Sequence, residues 1–144
     1  MPHLAVSGVH AKYGALEVLH GITFGVERGE VVSLVGPSGS GKSTVLRTLV
    51  GLTPVSKGSV DVAGTTIDYA SSRSIRAARD RMAIVFQQYN LFQNMSVLRN
   101  VTLAPTRIKT RPRAAVEDEA MEPLRLGGLA DKRDAYPDEL SGGQ

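Results

Sequence analysis

The sequence predicts an α/β fold centred on a strand, a glycine-rich loop and a helix, and three adjacent observations support this. Val31-Val32-Ser33-Leu34-Val35 is a nearly continuous apolar run ending in Gly36, the pattern of a strand covered on both faces. A loop of glycine and serine follows without a break. Val45, Leu46, Leu49, Val50 and Leu52 then recur at helical spacing as far as Gly51-Leu52-Thr53-Pro54, where glycine and proline stop the helix.

The flanking segments extend this plan. Leu4 to Val9 and Val18 to Val26 alternate like half-buried strands, with Glu27-Arg28-Gly29-Glu30 as a turn, and predict an antiparallel N-terminal flap. Ser59 to Ile67 alternates around Ala63-Gly64 and reads as a hairpin, and Ala83-Ile84-Val85-Phe86 reads as a second buried strand of a parallel core sheet. From Ser96 onward the pattern is helical and polar, with breaks expected at Pro105, Pro112, Pro123, Gly127-Gly128 and Pro137. One domain is expected from 144 residues, with a core over 1–95 and a helical subdomain over 96–144.

Composition removes several function classes. There is no cysteine, which excludes a disulfide framework, a thiolate metal site and a cysteine nucleophile. The start, Met1-Pro2-His3-Leu4, lacks the basic and apolar regions of a leader, and no run approaches the ~18 apolar residues of a membrane span. Net charge is +3, but the excess is local. Between Tyr69 and Arg113 nine Arg or Lys residues face Asp80 alone. Such a run suggests either nucleic acid or a solvated surface that also favours a polyphosphate, and its sparse aromatics favour the second. His3, His10 and His20 lack metal-ligand spacing, and Met82, Met95 and Met121 read as core or interface fillers.

The glycine loop carries the chemistry. Gly36-Pro37-Ser38-Gly39-Ser40-Gly41-Lys42-Ser43-Thr44 matches G-x-x-x-x-G-K-[ST]. Glycines let backbone N–H groups wrap a phosphate where a Cβ would obstruct it. The helix beginning near Lys42 adds unpaired N–H groups and the positive end of its dipole. Lys42 should reach the β- and γ-phosphates, and the Ser43 hydroxyl should ligate Mg²⁺. The loop alone leaves every P-loop NTPase open.

Leu140-Ser141-Gly142-Gly143-Gln144 narrows the choice, because LSGGQ resembles the signature motif of the ABC transporter ATPases. The resemblance runs along almost the whole chain and implies an ABC-type P-loop NTPase that binds ATP and Mg²⁺. Lys12-Tyr13-Gly14 resembles the A-loop, so Tyr13 is expected to stack on adenine. Val85-Phe86-Gln87-Gln88-Tyr89-Asn90-Leu91-Phe92 resembles the Q-loop, which implies that Gln87 meets Mg²⁺ and the attacking water while its neighbours face transmembrane permease subunits. The family works as a head-to-tail dimer. By that likeness Lys42, Ser43 and Gln87 of one subunit and Ser141, Gly142, Gly143 and Gln144 of the other enclose one ATP, on the inner face of the cell membrane. Asn100-Val101-Thr102-Leu103-Ala104-Pro105 is similar to the branch that powers import of polar amino acids, where a substrate-binding protein delivers the solute. The ATPases of lipoprotein release, cell division, and phosphonate or methionine uptake carry much the same strings.

Hydrolysis in this family needs a Walker B Asp, the Glu after it and a switch His, all downstream of the signature. Ala115-Val116-Glu117-Asp118-Glu119 imitates a Walker B pattern but precedes LSGGQ, and Glu117 to Glu122 reads as the solvated face of a helix. The resemblance therefore implies a chain truncated after its signature, which binds nucleotide without efficient turnover. It also implies that Val31 to Val35 lacks parallel neighbours and that the signature helix frays. A soluble ABC ATPase acting on nucleic acid or ribosomes would carry long inserts or tandem cassettes, which are absent from this sequence, so no nucleic-acid partner is expected.

Overall fold

The computed structural model describes residues 2–144, which divide into two compact units, one up to Val85 and one from Phe86. The first unit contains β1 (Leu4–Tyr13), β2 (Leu16–Val26), α1 (Lys42–Leu49), β3 (Val55–Val62), β4 (Thr65–Thr66) and α2 (Ser72–Arg79). The four strands form an antiparallel sheet in the order β2-β1-β3-β4. Leu4 pairs with Val26 on one side and Val62 on the other. Val6 and Val9 are an odd number of residues apart, yet both are buried. A register shift between them, where Gly8 takes a φ of +57°, returns the side chains to the same face. Val6, Val9, Ala11, Leu19, Val60 and Val62 then form one apolar layer, onto which Val45 and Leu49 of α1 pack. Leu19 is 1% exposed, a burial of about 1.5–3 kcal/mol for a side chain of this kind.

Helix α1 stops where the sequence indicates, and the geometry gives the cause. Gly51 takes a φ of +66°, its N–H donates to Thr48 O at 3.0 Å, and the Leu52 N–H donates to Arg47 O at 2.8 Å. This double closure is a Schellman motif, which satisfies carbonyls that the helix leaves open.

Two predicted strands are not formed as such. Val31–Val35 and Ala83–Phe86 have no regular secondary structure and belong to no ladder among the described residues. Val31 and Val35 are 91% and 94% exposed, and Val85 is 85% exposed. An apolar run becomes a buried strand only when neighbours supply its hydrogen bonds and cover both faces. The described sheet is antiparallel throughout, and none of its strands pairs with these segments. The α/β class stands, with the parallel part of the core reduced to unpaired segments.

The second unit is helical. It contains α3 (Val97–Arg107), α4 (Arg113–Leu126) and short 3-10 turns at Ala130–Lys132 and Pro137–Glu139. Val97 and Leu98 of α3 pack against Ala120 and Leu124 of α4, with Met121, Leu129 and Leu140 around them. The first N–H groups of α3 are satisfied from outside the helix: Val97 N donates to Ala135 O at 2.9 Å and Leu98 N to Arg133 O at 2.8 Å. Residues 86–95 go with this unit, ahead of the boundary read from the sequence. Asn100 on α3 accounts for that, because its side chain accepts from Phe92 N at 2.8 Å and donates to the carbonyls of Phe92, Met95 and Ser96.

Pro105 and Pro123 do not break helices, contrary to the sequence reading; they lie inside α3 and α4. Each removes the donor for the carbonyl four residues earlier. Those carbonyls belong to Val101 and Glu119, both residues at exposed positions. The Walker B imitation falls within α4, as its position suggested. Its carboxylates pair on the helix surface, Glu117 with Arg113 at 2.6 Å and Glu119 with Arg111.

Candidate nucleotide-binding site

The glycine loop lies in the first unit and leads directly into α1. Ser40 N donates to Pro37 O at 3.3 Å, closing a turn, and the first intrahelical bond runs from Val45 N to Gly41 O at 2.9 Å. The N–H groups of Lys42, Ser43 and Thr44 precede that bond and have no carbonyl within the helix. Gly41 is the N-cap in a left-handed conformation, φ +92°, with no side-chain cap. A Cβ there would approach Leu19 Cδ2 at 3.0 Å and Val18 O at 3.2 Å, and one at Gly36 would approach Ser40 Oγ at 2.9 Å. The backbone conformation and the space thus both call for glycine.

Lys42 folds back over the loop that precedes it. Its Nζ donates to Gly36 O and Pro37 O, each at 2.7 Å, and lies 3.5 Å from Ser40 Oγ. The ammonium is therefore held in the mouth of the loop, beside the open N–H groups of the helix. Ser43 presents its hydroxyl at an exposed position of the first helical turn, while Thr44 is buried beneath. Concentrated donors, one fixed positive charge and a helix N-terminus make a site for a polyphosphate. A hard cation held by the phosphates would meet the Ser43 oxygen.

Tyr13 ends β1 and lies in the same unit. Its phenol oxygen is 3.0 Å from Thr53 Oγ1 in the turn after α1, and its ring is 46% exposed. The Thr53 hydroxyl is the main cause of a phenol pKa below the usual tyrosine value, with Arg47 and Thr44 of α1 adding to the effect. The structure therefore joins Tyr13 to the helix that carries Lys42.

The remaining expected site residues belong to the second unit. Gln87 is exposed in a turn closed by Tyr89 N to Phe86 O at 3.1 Å, and Tyr89 and Asn90 after it both adopt positive φ, 55° and 54°. The signature forms a turn instead of a helix: Gln144 N donates to Ser141 O at 2.9 Å, and the Gln144 side-chain oxygen accepts from Ser141 N at 3.0 Å. The second bond is one half of a capping box, the contact that opens a helix. Tyr89 Oη lies 3.5 Å from Gly142 O, so the string after Gln87 borders the signature turn.

The basic run resolves into separate tasks. Arg79 donates to Val50 O at 2.8 Å and Gly51 O at 3.2 Å, capping α1, and Arg81 donates to Val62 O at 3.2 Å. Arg111 and Arg113 are paired on α4. Tyr69 donates to Thr48 O at 2.8 Å, and burial pushes its phenol up to about 12. The sequence reading missed Thr53, Tyr69 and Arg79 as supports of the loop helix, since their partners are remote along the chain. His10 and His20 both face Glu17, at 2.8 and 3.7 Å.

Known proteins align with this arrangement. A family model described as ABC transporter matches residues 19–144. The chain is 41% identical to the octopine permease ATP-binding protein P of Rhizobium radiobacter, over 99% of this chain and 58% of that protein. It is 40% identical to the nopaline permease ATP-binding protein P of Agrobacterium fabrum, over 99% of this chain and 60% of that protein. With the arginine transport ATP-binding protein ArgV of Corynebacterium glutamicum the identity is 43%, over 92% and 56%. Among solved structures, the dimeric ABC transporter cassette MJ0796 superposes with a TM-score of 0.83 at 31% identity, over 98% of this chain and 64% of that one. CbiO1 of Clostridium perfringens, part of the transporter complex CbiONQ, superposes with a TM-score of 0.80 at 29% identity, over 97% and 56%. The chain thus spans somewhat more than half the length of the relatives it matches. No helix among the described residues is long and apolar enough to cross a membrane.

Proposed function

Because the chain belongs to the ABC transporter family of ATP-binding proteins, we propose that Gly36 to Thr44 cradle the phosphates of ATP and that the complete protein is the ATPase of a polar amino-acid importer. The Lys42 ammonium, held 2.7 Å from two loop carbonyls at the open end of α1, carries this reading. Exchange of those carbonyls for phosphate oxygens would need little movement of the side chain. Ser43 would supply a hydroxyl to Mg²⁺, and Gln87 a second oxygen. The ion's contribution is to neutralise charge on the β- and γ-phosphates. Tyr13 would offer its exposed ring to adenine.

The octopine, nopaline and arginine transport relatives favour the amino-acid branch over lipoprotein release, cell division, phosphonate or methionine uptake. In the complete protein two subunits would associate head to tail, with Ser141, Gly142, Gly143 and Gln144 of each facing the other's ATP. The Q-loop neighbourhood would engage the permease on the inner face of the membrane, and a substrate-binding protein would act through that permease. For residues 1–144 alone we propose binding without efficient turnover. Three of the acidic side chains that flank the loop in sequence are engaged elsewhere: Glu17 with His10, Glu30 with the Glu27 N–H, and Asp61 with Thr66.

Calorimetric titration with MgATP tests the cradle. Lys42→Ala should weaken binding by about tenfold to a hundredfold, the loss expected for hydrogen bonds from a charged donor. Unchanged affinity would overturn the assignment. Steady-state phosphate release from residues 1–144 at the rate of an intact cassette would overturn the proposal of binding without turnover and leave the cradle standing.

A further inference from the structure

A cleft of about 310 Å³ lies between the β3–β4 hairpin and α2, on residues that the nucleotide reading does not use. That volume falls at the small end of the range for ligand sites. Its floor is apolar, formed by Val62, Ile67 and Ala78, all buried. Its rim is polar, and apart from Thr66 every polar side chain whose bonding is defined there has a donor to offer.

Arg81 is fixed by NH1 bonds to Val62 O at 3.2 Å and Thr65 Oγ1 at 3.3 Å, which leave other guanidinium N–H groups unused. Ser74 Oγ accepts from Asp68 N at 2.9 Å, and Ser71 Oγ accepts from Ser74 N at 3.3 Å. Thr65 Oγ1 is likewise an acceptor for Arg81. Each of these three hydroxyls has taken an N–H on its oxygen and keeps its own proton to give. Thr66 is the exception, because it donates to Asp61. Arg73 adds a second guanidinium, and no Asp or Glu lines the cleft. A rim of donors and positive charge selects a ligand head that only accepts, and the planar guanidinium fork matches a carboxylate. The apolar floor selects a short hydrocarbon body. A zwitterion would bring an ammonium group for which the lining has no acceptor carboxylate.

We propose that this cleft binds a small monocarboxylate with a short apolar tail.

The test is an NMR titration of the full 144-residue chain with isovalerate, leucine and inorganic phosphate as separate probes. Saturable amide shifts at Ile67 and Ala78 are expected with isovalerate, with leucine and phosphate each weaker by about tenfold or more, leucine because its ammonium finds no acceptor and phosphate because it lacks the apolar contact. Arg81→Gln should lower isovalerate affinity by a similar factor. Ala77→Leu fills the cleft from the exposed flank of α2 while keeping the Arg81 side chain, and should block binding even if Arg81→Gln folds poorly. Lys42→Ala should bind isovalerate as the parent does. Equal affinity for leucine or phosphate, unchanged binding by Ala77→Leu, or loss of binding in Lys42→Ala would each overturn the proposal, the last by moving the anion to the glycine loop. Absence of saturable shifts would do so as well.

Discussion

The guanidinium of Arg79 donates to the carbonyl oxygen of Val50 at 2.8 Å, joining α2 to the C-terminal end of the helix whose first residue is Lys42. A second bond reaches Gly51 O at 3.2 Å. Arg79→Met keeps the aliphatic stem and removes both bonds. It should lower stability by about 1–2 kcal/mol in urea unfolding, since the bond to Val50 O is only part-buried and that to Gly51 O is exposed and screened. MgATP affinity should change far less than in Lys42→Ala.

Gly41 and Gly39 separate two reasons for glycine in one loop. Both have positive φ, +92° and +81°, but a Cβ meets Leu19 and Val18 only at Gly41 and nothing within 4 Å at Gly39. Gly39→Ala should cost about 1 kcal/mol from backbone strain alone, and Gly41→Ala about 2–3 kcal/mol from strain plus displacement of Leu19. Chemical denaturation of the two variants side by side checks the order.

Tyr13 offers a ring and a hydroxyl to different partners. Tyr13→Phe removes the hydroxyl that meets Thr53, a residue only 1% exposed. It should reduce folding stability by about 1 kcal/mol while leaving nucleotide affinity nearly intact. Tyr13→Ala should also weaken ATP binding by about 1–3 kcal/mol, the range for loss of a base-stacking ring. Equal ATP affinity in both variants would remove Tyr13 from the adenine site.

The tyrosines should ionise in a defined order. Hydrogen bonding to Thr53 lowers the Tyr13 pKa, whereas burial raises that of Tyr69 from 10.0 to about 12. A raised pKa in the folded state means that the unfolded chain loses this proton first. The Tyr69 contribution is therefore fully present below pH 10 and is lost as pH rises towards about 12. Near-ultraviolet titration should detect tyrosinate from Tyr13 before tyrosinate from Tyr69. Tyr69→Phe should flatten the fall in stability over that interval.

What could be read in the linear chain was local. The glycine spacing from Gly36 to Gly41, the Lys42-Ser43 pair after it and the Gly51 stop describe a loop and a helix whose bonds span a few residues, and the structure contains both. The flap and the Ser59–Ile67 hairpin were legible for the same reason, since alternation and a short turn bring neighbouring segments together. Val31–Val35 shows the limit of such reading: its apolar run has the composition of a buried strand, but a ladder needs another segment, and among the described residues none pairs with it. Pro105 and Pro123 read as breaks because proline removes a donor from a helix interior. The carbonyls they free belong to Val101 and Glu119, residues at exposed positions of α3 and α4.

By itself the sequence determined the chemistry of the loop, because G-x-x-x-x-G-K-[ST] sets backbone conformation and charge within eight consecutive residues. Tertiary structure decided what supports that loop: Thr53 against Tyr13, Tyr69 on Thr48, and Arg79 on Val50. It also turned Arg81 and three hydroxyls into the rim of a second cleft. The partners of Tyr13, Tyr69 and Arg79 lie 21 to 40 residues away along the chain, so those bonds depend on the register of the sheet and the placement of two helices.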